Sequence, residues 1–117
     1  MLDILYEDNH LIAVNKVAGD LVQGDQTGDL PLVEKVKSYI KKKYNKPGAV
    51  FLGVIHRLDR PTSGVVIFAR TSKALTRMNQ QFKERKTDKI YWAIVLPKIK
   101  PPSATLTHWL IRNTKMN

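Results

Sequence analysis

Apolar residues in this chain gather in short blocks separated by polar, turn-forming segments. Leu11-Ile12-Ala13-Val14 is a run of strand length, and Asn15-Lys16-Val17-Ala18-Gly19-Asp20 breaks it with turn residues. Leu21-Val22 predicts another brief strand, followed by a polar, glycine-containing loop from Gln23 to Asp29. Leu32, Val33, Val36 and Ile40 then recur at helical spacing, with Lys35, Lys37, Lys41, Lys42 and Lys43 on the remaining positions. Asp29 is placed to cap this helix, and Pro31 suits its first turn. The lysines crowd its C-terminal end, where they complement the dipole, and Asn45-Lys46-Pro47-Gly48 stops it.

Further on, Val50-Phe51-Leu52-Gly53-Val54-Ile55 and Val65-Val66-Ile67-Phe68-Ala69 predict two buried strands, with the polar segment His56 to Gly64 between them. Ser72 is placed to cap a second helix with Leu75, Met78 and Phe82 on its core face. Lys89 to Leu96, rich in β-branched and aromatic residues, predicts a third long strand, closed by Pro97 and Pro101-Pro102. Thr105 to Ile111 predicts a last one. Strands and helices mix without regular βαβ alternation, so the expected class is α+β: a mostly antiparallel mixed sheet with helices packed on it.

Composition narrows the chemistry. With 117 residues the chain makes one small domain at most, and 43% hydrophobic content is enough for it to fold. The absence of cysteine removes disulfides, thiolate metal sites and a thiol nucleophile. No apolar run approaches the roughly 20 residues of a membrane span, and the acidic N-terminus lacks the basic region of a secretion signal. A cytoplasmic protein with no membrane partner is therefore expected. The net charge is +10, and it is unevenly spread. Asp3, Glu7, Asp8, Asp20, Asp25 and Asp29 face a single base, Lys16, in the first thirty residues, and all the other lysines and arginines follow. This asymmetry points to a polyanionic partner, most often nucleic acid, with the first thirty residues, apart from their turn, away from the phosphate path. A solvated, lysine-rich surface is the plainer alternative.

The segment His56-Arg57-Leu58-Asp59-Arg60-Pro61-Thr62-Ser63-Gly64, held between two strands, concentrates charged and hydroxyl groups where sites tend to sit. A carboxylate between Arg57 and Arg60 is favoured in its ionised form. An ionised Asp59 is a competent nucleophile toward an electron-poor carbon, and the arginines can hold phosphates. Against this stand a tight turn with local Asp, Thr and Ser hydrogen bonds, a surface Arg–Asp pair, and a metal site using His56 and Asp59 that lacks a third ligand.

That nine-residue segment resembles the H-R-L-D-x-x-T-S-G signature of RluA-type pseudouridine synthases. Ile4 to Lys16 looks like the opening strand-turn-strand of the same family, and Lys89-Ile90-Tyr91-Trp92-Ala93 like its K-x-Y-x-A strand. The likeness covers almost all of residues 2–117 with the motifs in family order. It implies a pseudouridine synthase-like fold and an enzyme that isomerises uridine to pseudouridine in ribosomal or transfer RNA, without cofactor or metal. Asp59 matches the catalytic aspartate, which attacks the uridine or its C1′ carbon. Tyr91 matches the active-site tyrosine that contacts the uracil and assists the final deprotonation. Arg57 matches an arginine that fills the space of the flipped base. Arg60, His56 and Lys89 are the further residues expected at the RNA, His56 chiefly in a positioning role. Tyr91 and Trp92 would alternate on a strand, so only one of them would face the site.

Two departures from the pattern stand out. Val17 takes the place of the usual proline after Lys16, which affects turn rigidity. The R-x-H-Q-I-R-type motif of the family's later half, whose first arginine pairs with the aspartate, does not occur in these residues. The expectation is thus that residues 1–117 form the N-terminal portion of a catalytic domain. Such a portion would associate with the missing half or a second copy, and the alternative to catalysis is an inactive RNA-binding fragment.

Overall fold

A computed structural model describes residues 1–98 and 100–115. Four strands form one antiparallel sheet: β1 (Ile4–Glu7), β2 (Leu11–Lys16), β3 (Gly53–Val54) and β4 (Gly64–Ala69), in the order β1-β2-β4-β3. Two helices, α1 (Leu32–Lys43) and α2 (Ser72–Lys83), complete an α+β architecture of the expected kind.

The sheet register sorts side chains onto two faces. Ile12 lies opposite Phe68, Val14 opposite Val66 and Lys16 opposite Gly64. Side chains on a strand alternate, so these residues share one face. Against it α1 lays its stripe of Leu32, Val33, Val36 and Ile40, each nearly or fully buried, and the two sets make the main core. Ile67 belongs to the opposite face, where α2 packs through its half-buried Leu75, Met78 and Phe82. Gly53 allows the close approach of β3 to α2. A Cβ there would lie 2.8 Å from a methyl of Leu75.

Both helix starts differ from expectation. Asp29 does not cap α1. Pro31 occupies the cap position without a side-chain bond, and the amides of Leu32 and Val33 donate to the carbonyls of Leu21 and Val22 at 2.7 and 3.1 Å. Leu21-Val22 is accordingly no strand but the acceptor for orphan helix donors. For α2, Thr71 rather than Ser72 is the cap, its Oγ1 accepting from the Ala74 amide at 3.1 Å.

The later strands are also corrected. Of Val50–Ile55 only Gly53–Val54 pairs, while Phe51 is exposed. Lys89–Leu96 and Thr105–Ile111 form no strand, and Trp92, Ile94, Leu96, Trp109 and Leu110 stand in solvent. A strand needs a neighbour for its backbone groups, and among the described residues none lies beside these segments. The radius of gyration of 17.3 Å reflects this projecting arm; a compact chain of this length measures about 13 Å.

Candidate active site

The segment from Ile55 to Ser63 joins β3 to β4, and its sharpest part is a turn closed by the Thr62 amide on the Asp59 carbonyl at 2.9 Å. Gly64 ends it at φ +137°, a conformation that residues with a side chain avoid, and thereby aims the chain into β4. Asp59 is exposed at the head of this turn, and Arg57 is exposed two residues before it.

Arg60 faces away from Asp59. Its Nε donates to the Gly19 carbonyl at 2.9 Å, and its guanidinium pairs with Asp29. The Gly19 amide returns a bond to the Arg60 carbonyl at 2.8 Å. Thus the residue that follows Asp59 is locked to the loop between β2 and α1, and the expected Arg57–Asp59–Arg60 sandwich is not formed.

Lys16 completes this lock from inside. It is the one polar or charged residue that is fully buried among those described. Its Nζ donates to the carbonyls of Arg60 at 2.9 Å and Val17 at 3.1 Å. Burial holds its pKa below the ordinary lysine value, partly opposed by the nearby carboxylates of Asp20 and Asp59 and reinforced by Arg60. A buried ammonium therefore sits beneath the turn that carries Asp59.

Beside the turn lies a cleft of about 590 Å³. Leu58, Thr62 and Ser63 form one wall, Met78 and Phe82 of α2 another, and Lys89, Tyr91 and Trp92 a third. The expected site residues His56, Lys89 and Tyr91 are thus brought together, while Asp59, Arg57 and Arg60 stand outside the lining. Because residues 89–96 are not a strand, Tyr91 and Trp92 both border the cleft, contrary to the alternation expected of them. The Lys89 ammonium lies 5.0 Å from the centre of the Phe82 ring.

His56 performs a strand's work where β3 stops. Its Nε2 accepts the Ile67 amide of β4 at 3.1 Å, and its ring stacks on Phe82 at 5.2 Å. A ring nitrogen that accepts must be unprotonated. Burial, with Lys89 adding to it, pushes the imidazole pKa below its ordinary 6.5. The sign of the linkage follows: the unfolded chain takes up the proton first. The stability contributed by neutral His56 is complete above pH 6.5 and is lost as pH falls through the lower folded value. His56→Gln keeps an acceptor but cannot titrate, and is expected to flatten this acid limb in urea unfolding measured across pH. An unchanged limb would assign it elsewhere. Among the described residues no group of three or more His, Asp or Glu side chains is placed to hold a metal, and His56 already serves Ile67.

The sequence matches the family described as RNA pseudouridylate synthase over residues 10–116. The chain belongs to this family. It is 33% identical over 110 residues to the ribosomal large subunit pseudouridine synthase C of Vibrio vulnificus, covering 94% of this chain and 33% of that protein. It is 44% identical over 97 residues to the tRNA pseudouridine synthase C of Haemophilus ducreyi, covering 80% of this chain and 37% of that one. Among solved structures, the human RNA pseudouridylate synthase domain containing 4 superposes with a TM-score of 0.61 at 26% identity, covering 72% of this chain and 30% of that one. The chain therefore spans about a third of the length of these relatives.

Family membership sets the segment 56–64 in context, but its two supports Lys16 and Asp29 were expected in other places, in a turn and as a helix cap. Lys16 follows Ile12 and Val14 at a spacing of two, so its strand parity alone marks it as inward-facing. Asp29 carries no comparable signal, because its partner Arg60 lies thirty-one residues away.

Proposed function

We propose that this pseudouridine synthase family chain carries the aspartate-bearing part of a site that isomerises uridine to pseudouridine in ribosomal or transfer RNA. The supporting observation is the juxtaposition of an exposed Asp59, fixed from below by Lys16 and Arg60, with a cleft bordered by Tyr91 and Trp92. The reacting nucleotide must leave its stack to reach such a site, and an aromatic wall offsets part of that cost. In the proposed course Asp59 attacks the uridine or its C1′ carbon and the glycosidic C–N bond breaks. The detached uracil turns over, C5 bonds to C1′ as the Asp59 carboxylate is released, and the C5 proton leaves while N1 takes one up. Tyr91 contacts the uracil and assists that deprotonation. Arg57 fills the vacated space, and Lys89 holds phosphate at the rim. His56 and Arg60 act by positioning, since His56 Nε2 is engaged with β4 and the Arg60 side chain with Gly19 and Asp29.

The test is tritium release from RNA labelled at uridine C5. Release above background is expected, and its absence in every form of the protein that binds RNA would remove the isomerase reading. A second reading, RNA binding without isomerisation, is favoured by the place of Asp59, which stands outside the lining of the cleft among the described residues. The exposed Trp92, Ile94, Leu96 and Trp109 further support association, with the later part of such a domain or with a second copy. A light-scattering mass above that of one 13.4 kDa chain is expected for the self-associated form. A monomer that binds no apolar dye would set association aside.

A further inference from the structure

The two helices on opposite faces of the sheet are compensated differently. On α1, Lys35 pairs with Asp20 at 3.0 Å, Lys37 with Glu34 at 2.9 Å and Lys43 with Glu7 at 2.9 Å. Two of these acids, Asp20 and Glu7, come from the acidic first thirty residues, while Lys41 and Lys42 at the end of α1 stay exposed and unpaired among the described residues. On the other face Lys73, Arg77 and Lys83 of α2, and Arg85 just beyond it, are all exposed, and none forms an ion pair among the described residues. The nearby Glu84 is taken by Lys86 at 2.5 Å.

This uncompensated charge adjoins the candidate site. Met78 and Phe82 on the inner side of α2 form a wall of the cleft, while Lys73 and Arg77, four residues apart, share its outer side. Two like charges at that spacing weaken a helix on its own, and a polyanion laid across them removes the repulsion. Lys73 to Lys83 extends along the axis for about 15 Å, longer than one nucleotide.

We infer that the RNA strand flanking the target nucleotide runs across the outer face of α2, with its phosphates on Lys73, Arg77, Lys83 and Arg85, and not across α1. The inference rests on reading this chain as one that binds RNA at the cleft.

Binding of the full chain to a short, uridine-containing single-stranded RNA, followed over a range of salt concentrations, tests it. Each phosphate contact on a single strand contributes about 0.7 to the slope of log affinity against log salt. The double variant Lys73→Gln/Arg77→Gln is expected to flatten the slope by about 1.4. The matched variant Lys41→Gln/Lys42→Gln on α1 is expected to leave it unchanged. A full slope in the α2 variant, a loss confined to the α1 variant, or no salt-dependent binding by the parent chain each overturns the inference. An α2-dependent slope without tritium release supports this RNA path while removing the isomerase reading, so the two fail separately.

Discussion

If Asp59 is the nucleophile proposed above, Asp59→Asn is expected to abolish pseudouridine formation, by at least about 10³-fold, while the binding groups stay intact. The fold should not notice the change. The Asp59 side chain is exposed, and the bond that closes the turn uses its backbone carbonyl, which asparagine keeps. Asparagine has nearly the same shape but a weakly nucleophilic amide, so the substitution removes chemistry with little else. Tritium release and urea unfolding on the same preparation separate the two effects. Activity within tenfold of the parent would transfer the nucleophile's role to another group. RNA affinity should hold, since the carboxylate's negative charge opposes the phosphates and its removal relieves that repulsion.

The elements that were legible are those whose burial is decided locally. Leu11-Ile12-Ala13-Val14 and Val65–Ala69 are apolar runs with turn residues on both sides, and they became the central pair of the sheet. The α1 stripe was legible because four residues at helical spacing meet one sheet face. Lys89–Leu96 failed for a non-local reason. Its β-branched and aromatic content describes a surface suited to a sheet, but pairing requires a neighbour that sequence pattern does not supply. The site divides in the same way. The segment 56–64 was legible by resemblance, whereas the orientation of Arg60 was not. Adjacency to Asp59 suggested an electrostatic pair, but Asp29 and the Gly19 carbonyl lie closer to the guanidinium's reach once the loop has folded.

The acidic first thirty residues gain a purpose from this arrangement. Glu7 accepts from the Tyr39 hydroxyl and the Lys43 ammonium, each at 2.9 Å, and so ties β1 to α1. Asp20 and Asp29 tie the following loop to α1 and to the turn. Their charge is used within the fold, and Lys73, Arg77, Lys83 and Arg85 around α2 and Lys89 at the cleft, together with Lys41 and Lys42 at the end of α1, keep no acidic partner among the described residues.

Lys16→Met is expected to lower stability by about 1–3 kcal/mol and activity by about 10²-fold or more. The stability figure is a balance of opposing effects. Methionine forfeits two charge-assisted bonds to the carbonyls of Val17 and Arg60 but also ends the cost of burying an ammonium. Neither carbonyl is orphaned, because Val17 still accepts from the Asp20 amide at 3.3 Å and Arg60 from the Gly19 amide at 2.8 Å. Lys16→Ala adds a cavity to this loss and should cost more than methionine does. The activity figure has a different origin. The Arg60 carbonyl is one residue from Asp59, and the Lys16 ammonium is the only contact that reaches it from the core side of the sheet among the described residues. Without it the turn keeps its surface lock to Gly19 and Asp29 but loses its anchor to β2. A displacement near 1 Å of a nucleophile costs on the order of 10²-fold. Lowered turnover with unchanged RNA affinity is the pattern that follows from displacement. If Lys16→Met retained full turnover at its reduced stability, the ammonium would be a packing element and the turn would hold Asp59 unaided.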